Sequence, residues 1–150
     1  MHDKDIAILR NLACNGRMSL NDLAEAVGLS PTPTARRVKQ LEASGAITGY
    51  TAQLDETALG FPVSVFVSVR LDKQVDEALA LFEQAITRLP EVVDCWLMTG
   101  NRDYLMRVAT RDLADFERFL TQRLTRIKGV AAIESSIPLR RVKATPARIP

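Results

Sequence analysis

The feature that most constrains this chain is the order in which its apolar period changes between Val63 and Arg140. Val63, Val65, Val67, Val69 and Leu71 alternate with Ser64, Phe66, Ser68 and Arg70, as in a strand with one buried face. Over 75–89 the period lengthens. Val75, Leu79, Phe82, Ile86 and Leu89 fall on one helical stripe, and Pro90 stops it. Residues 92–99 read as a second strand, Gly100-Asn101-Arg102 as a turn, and 103–110 as a third strand. Leu113, Phe116, Leu120, Leu124 and Ile127 form another helical stripe, closed by Gly129, and 130–140 reads as a fourth strand. Strand-helix-strand twice over is the split βαβ, or ferredoxin-like, pattern. Its two helices cover one sheet face. The other face, with Phe66 among its residues, is left open and calls for a partner, most simply a second copy of the chain.

The first third is purely helical. Ile6, Leu9, Leu12 and Ala13 share a helix face, with Asp3 or Asp5 as its cap and Asn15-Gly16 as its stop. A second helix starts at Ser19, where Ser19-Leu20-Asn21-Asp22 resembles a capping box, and it buries Leu20, Leu23, Ala24 and Val27 before Gly28. The third starts at Ser30-Pro31-Thr32-Pro33: serine suits the N-cap, and both prolines fall in the first turn, where no ladder bond is lost. Ala35, Val38 and Leu41 are expected to face inward. Thr32, Thr34, Arg36, Arg37, Lys39 and Gln40 remain on a mostly basic face, with Glu42 the only acid before Gly45. Two short helices joined by a tight glycine turn make a helix-turn-helix, whose second helix lies in the major groove of double-stranded DNA. The expected DNA-binding residues are Ser30, Pro31, Thr32, Thr34, Arg36, Arg37, Lys39 and Gln40. The competing reading is a basic helix face that is simply solvated.

Composition narrows the function. The 20 Lys and Arg against 18 Asp and Glu give a net charge of +2, so any basic surface must come from local clustering. His2 is the only histidine and is expected to lie in a frayed terminus, which removes His-based triads and metal clusters. Neither a phosphate-binding glycine loop, a metal-ligand spacing nor a cofactor motif is present, so the expectation is no enzyme, no metal and no cofactor. Cys14 and Cys95 sit in apolar patterns and are expected to be buried free thiols. With no secretory signal and no apolar run long enough to span a bilayer, a cytoplasmic location and no membrane partner are expected.

Several stretches together resemble the Lrp/AsnC, or feast/famine, transcription regulators. They are Asp5-Ile6-Ala7-Ile8-Leu9, Gly16-Arg17-Met18-Ser19, Val27-Gly28-Leu29-Ser30-Pro31-Thr32-Pro33 and Arg36-Arg37-Val38-Lys39-Gln40-Leu41-Glu42 with Gly45-Ala46-Ile47. Gly49-Tyr50-Thr51-Ala52, Thr99-Gly100-Asn101-Arg102-Asp103-Tyr104 and Ile137-Pro138-Leu139-Arg140-Arg141-Val142-Lys143 follow. Their order and spacing, from about Asp5 to Lys143, are what is specific.

That resemblance implies an α+β chain: an N-terminal helix-turn-helix of winged-helix type and a C-terminal ferredoxin-like βαββαβ ligand-sensing domain. It further implies a homodimer through apposed sheets, often assembled into an octamer, and an amino-acid effector held between dimers. The expected boundaries are 1–47 for the DNA-binding domain, 48–62 for a linker with one strand over 46–54, 63–143 for the sensing domain and 144–150 for a tail. The effector is expected at Thr99, Gly100, Asn101, Asp103, Tyr104, Ser135 and Ser136. Free N–H groups near Gly100 suit a carboxylate and Asp103 suits an ammonium group; the alternative is an ordinary hairpin turn whose backbone Asp103 fixes. Ser135-Ser136 departs from the Thr-Ser pair common in the family. The basic stretch Arg140, Arg141, Lys143 and Arg148 suits DNA phosphates, or else a solvated tail or one pinned along a neighbouring subunit. Two other functions compete: a tetrapyrrole decarboxylase, which needs cleft histidines the chain lacks, and a sensor without DNA binding, which the basic helix argues against.

Overall fold

The computed structural model describes residues 2–150, which form two compact units. One runs to Gln53 and takes in Val142–Pro150; the other spans Leu54–Arg141.

The first unit holds α1 (Asp3–Cys14), α2 (Leu20–Val27) and α3 (Pro31–Ala43) around Ile8, Leu23, Val27 and Leu41. His2 caps α1, contrary to the frayed terminus expected: its Nδ1 accepts the Lys4 N–H at 3.2 Å, and the Asp5 side chain accepts the His2 N–H. Ser19 caps α2 by accepting the Asp22 N–H, and its hydroxyl donates to the Asp22 carboxylate at 2.6 Å. Gly28 ends α2 at φ 64°, a left-handed turn that folds α3 back across it. Lys4 Nζ clamps the same corner by donating to the Val27 carbonyl at 2.6 Å. Ser30 stands at the N-cap of α3 but makes no side-chain cap bond.

Leu20, expected on the buried face of α2, is exposed because it stands at the first position of the helix, outside the cluster that Leu23 and Val27 enter, and α1 and the C-terminal segment also differ from expectation. Ile8, rather than Ile6, is the fully buried residue of α1. Leu9 and Leu12 lie along a groove shared with Ala46–Tyr50 and Pro146–Pro150, so α1 is covered on two sides and its apolar stripe is wider than one core requires. The C-terminal segment is therefore part of this unit, not a free tail, with Arg10 donating to the Pro150 carbonyl at 2.6 Å.

The strand expected over 46–54 does not form. A strand needs a hydrogen-bonded neighbour, and no backbone bond joins 48–54 to another segment among the described residues. The turn that follows belongs to the second unit. Glu56 accepts two bonds from Arg107, at 2.7 and 3.0 Å, which places the boundary after Gln53 and not at Pro62.

The second unit contains β1 (Val63–Leu71), α4 (Asp76–Ile86), β2 (Val92–Leu97), β3 (Tyr104–Thr110), α5 (Leu113–Gln122) and β4 (Val130–Ser136). The sheet is antiparallel with order β2-β3-β1-β4, the split βαβ arrangement read from the periodicity. Val65, Val67 and Val69 of β1 and Met106 and Val108 of β3 are fully buried under Phe82, Ile86, Phe116 and Phe119 from the two helices. Residues directly opposite across a ladder share a face. The open face therefore carries Phe66, Arg107 and Asp94 in one row and Ser68, Leu105 and Trp96 in the next. Phe66 is 39% and Trp96 58% exposed. Helix α5 stops at Gln122, and a single 3-10 turn, Leu124–Arg126, carries its stripe on to Leu124. Cys14 and Cys95 are both exposed, contrary to expectation: one ends α1 and the other lies on the edge strand β2.

Candidate nucleic-acid interface and effector cleft

Helix α3 divides its side chains by angle. Thr34 and Leu41 are buried, with Val38 packed between them. Thr34, expected among the DNA contacts, is wholly buried because its hydroxyl donates to the Ser30 carbonyl at 2.9 Å and so needs no water. Ala35, expected inward, instead lines the outer surface. Arg37 is also turned from the expected role. Its guanidinium pairs with Asp5 of α1 at 2.8 Å, with both side chains largely covered. That hydrogen bond holds the Asp5 carboxyl below its usual range.

The outer stripe of α3 forms a shallow cleft of about 590 Å³. Pro31, Thr32, Arg36, Lys39 and Gln40, all expected DNA contacts, meet there with Ala35, Ala43 and Leu20 of α2. Ser30 is exposed beside it but does not line it. Two cations and no anion face this surface. The first turn of α3 adds no acid, and because Pro31 and Pro33 carry no N–H, Thr32 supplies the free backbone donor among its first three residues.

In the second unit a cleft of about 490 Å³ opens on the uncovered sheet face, lined by Ser68, Arg70, Asn101, Arg102 and Glu134. The Arg102 guanidinium donates to Ser68 Oγ at 2.7 Å, which bends the loop over β1. Of the residues expected to hold an effector, Asn101 lines this cleft. Thr99 and Gly100 lie exposed in the same loop, where φ 97° at Gly100 requires glycine regardless of any ligand. Ser136 sits on the open face opposite Phe66.

Two expected effector residues are corrected by the fold. Asp103 is buried, and its carboxylate accepts the Leu71 N–H at 2.7 Å, so it fixes backbone as the hairpin alternative required. Tyr104 points into the core under Phe82, with ring centroids 4.5 Å apart, and its hydroxyl donates to Glu83 at 2.7 Å. Ser135 pairs with Val67 on the helix side of the sheet but is itself exposed on the edge strand β4, and it does not line this cleft. Arg70 was missed as a cleft residue, and Arg102 and Glu134, though part of the loop and strand that the family resemblance sets beside the cleft, were not among the expected effector contacts. Their signal was available: alternation puts Arg70 and Ser68 on one face of β1, and the register sets Glu134 against Ser68.

Comparison with known proteins decides what this pair of surfaces belongs to. A family model described as the Lrp/AsnC ligand binding domain matches residues 64–148, and one described as winged helix-turn-helix DNA-binding matches 1–48. The chain belongs to the Lrp/AsnC family. It is similar to a Bkd operon transcriptional regulator of Pseudomonas aeruginosa, 52% identical over 138 residues, which covers 92% of this chain and 90% of that protein. The leucine-responsive regulatory protein of Escherichia coli is 35% identical over 139 residues, covering 93% and 85%. Among solved Lrp/AsnC-like structures, a transcriptional regulator of Neisseria meningitidis in complex with L-Met superposes with a TM-score of 0.91 at 34% identity, covering 97% of this chain and 94% of that one. This Lrp/AsnC member is thus a DNA-binding transcription regulator with a helix-turn-helix unit and a ferredoxin-like sensing unit. No helix among the described residues is long and apolar enough to cross a membrane, and no group of three or more His, Cys, Asp or Glu there could hold a metal ion.

Proposed function

We propose that this regulator binds an amino acid in the cleft beside the Gly100–Arg102 loop and that occupancy alters its grip on DNA. The observation that carries the reading is the charge arrangement. Arg70 and Arg102 line one small cleft with the Glu134 carboxylate, complementary to a ligand bearing both a carboxylate and an ammonium group. Ser68 and Asn101 add neutral hydrogen-bonding groups. The L-Met bound to the Neisseria meningitidis relative supports the same ligand class. Exposed Phe66 and Trp96 on the open sheet support a homodimer through that face, and higher assembly to an octamer accords with it.

The proposed function involves no catalytic step. The single histidine is engaged as a helix cap, and partial burial beside Glu83 pushes the Cys95 thiol up to about 11, far from a thiolate nucleophile at neutral pH. We infer a cytoplasmic location from the same reading, since a regulator of transcription acts on the chromosome.

A thermal-shift screen of the amino acids tests the effector. A ligand that binds the native state alone raises the melting temperature by an amount set by its concentration relative to its Kd. At least one amino acid is expected to do so, and Glu134→Gln and Arg102→Ala are each expected to weaken its affinity about tenfold or more, the loss of one charge-assisted bond. A flat screen, or hits untouched by both substitutions, rejects the cleft as the effector site.

A further inference from the structure

The surface that α3 offers to DNA is less polar than its cations suggest. Thr32, Ala35, Arg36, Lys39 and Ala43 follow helical spacing down the exposed side, and Leu20 leans over them from the start of α2, 41% exposed. Apart from Arg36, Lys39 and Gln40, the cleft is lined by Leu20, Pro31, Thr32, Ala35 and Ala43. Nothing in the folding of the unit requires this. Leu20 and Ala35 lie outside the buried cluster of Ile8, Leu23, Val27 and Leu41, so their apolar character is not needed for that core. The small side chains of Ala35 and Ala43 let the helix backbone approach another surface closely.

The occupant must be cationic-rim compatible and apolar at the centre. In the major groove the phosphates supply the anionic flanks, and the C5 methyl of thymine is the one apolar group among the base edges. We infer that this cleft reads thymine by its C5 methyl, with Ala35, the Thr32 methyl and Leu20 as the contacts that select it. Arg36 and Lys39 then take the flanking phosphates or a guanine edge, and the Gln40 amide suits adenine. Leu20 is the unexpected participant, because it belongs to the first helix of the motif rather than the second. This inference rests on the DNA-binding reading and adds to it a base and the residues that choose it.

The test uses the full-length protein and duplexes selected from a randomised pool for tight binding. Each dT in a selected half-site is replaced singly by dU, which removes the methyl and leaves the base pairing intact. One or two positions per half-site are expected to lose about fourfold in affinity, the worth of burying a single carbon. Leu20→Ser and Ala35→Ser are each expected to bind the dT duplex about as weakly as the native protein binds the dU duplex, and to be indifferent to dU at the same positions. Both sites are exposed or half-exposed, and unchanged melting temperatures will show that folding is intact. If the native protein tolerates dU at every thymine, or if the dU penalty persists undiminished in both variants, methyl readout by this cleft is wrong while DNA binding stands. A pool that yields no bound duplex overturns both.

Discussion

Two neighbouring arginines on α3 do different work. Arg36 lines the outer cleft of α3 proposed to meet DNA, whereas Arg37 is tied to Asp5 and joins α3 to α1. Arg36→Ala is therefore expected to weaken DNA binding and lower its salt dependence by about one phosphate contact, with the melting temperature unchanged. Arg37→Ala is expected to cost about 1 kcal/mol of stability, the loss of a partly screened ion pair. DNA titrations at several salt concentrations, run beside thermal melts, separate the two. The same pair sets an acid limit. Because Arg37 lowers the Asp5 pKa in the folded state, the stabilisation is complete above the ordinary value of 3.8 and is lost as pH falls below it. Melts from about pH 6 to about pH 3 should show a steeper acid decline in the native protein than in Arg37→Ala. Parallel curves would mean the pair contributes nothing. None of this was visible in the residue pattern, since a basic residue on a helix reads the same whether it meets solvent, a phosphate or an acid from another helix.

At the scale of elements, the hairpin between β2 and β3 is held by Asp103. Its carboxylate accepts the Leu71 N–H, its N–H donates to the Val69 carbonyl at 2.9 Å, and its carbonyl accepts the Met98 N–H at 2.8 Å. Asp103→Ala strands the Leu71 N–H in a buried position and is expected to cost about 1–3 kcal/mol, read as a lower denaturation midpoint. A loss of amino-acid affinity with no loss of stability would instead restore Asp103 to the effector site. The elements themselves were legible because burial on one face imposes a period, as the alternation of Val65, Val67 and Val69 shows. Side-chain roles near the site were not, because Asp103 and Tyr104 are committed to partners far along the chain, Leu71 and Glu83. Thr34 is the instructive miss on α3: a hydroxyl that returns its hydrogen bond to the preceding turn can be buried where a DNA contact was expected. Residues 46–54 have strand-like alternation but no neighbour to pair with.

For the whole molecule the decisive feature is that one unit is assembled from both ends of the described chain. The segment Val142–Pro150 belongs with the helix-turn-helix, where Pro146 to Pro150 border Leu9, Leu12 and Ile47. Deleting 142–150 is expected to expose those side chains and cost on the order of 2–4 kcal/mol of that unit's stability. DNA binding should weaken in consequence, while the second unit, judged by Trp96 fluorescence on unfolding, should keep its midpoint. A truncated protein that melts like the native one would show the segment to be a passenger. The same topology imposes an order on biosynthesis. The three helices leave the ribosome before the sensing unit, yet the part that borders α1 is made only after it. The DNA-reading unit therefore reaches its final stability only after Val142–Pro150 has been translated, and a nascent chain stalled within the sheet holds an unfinished reader.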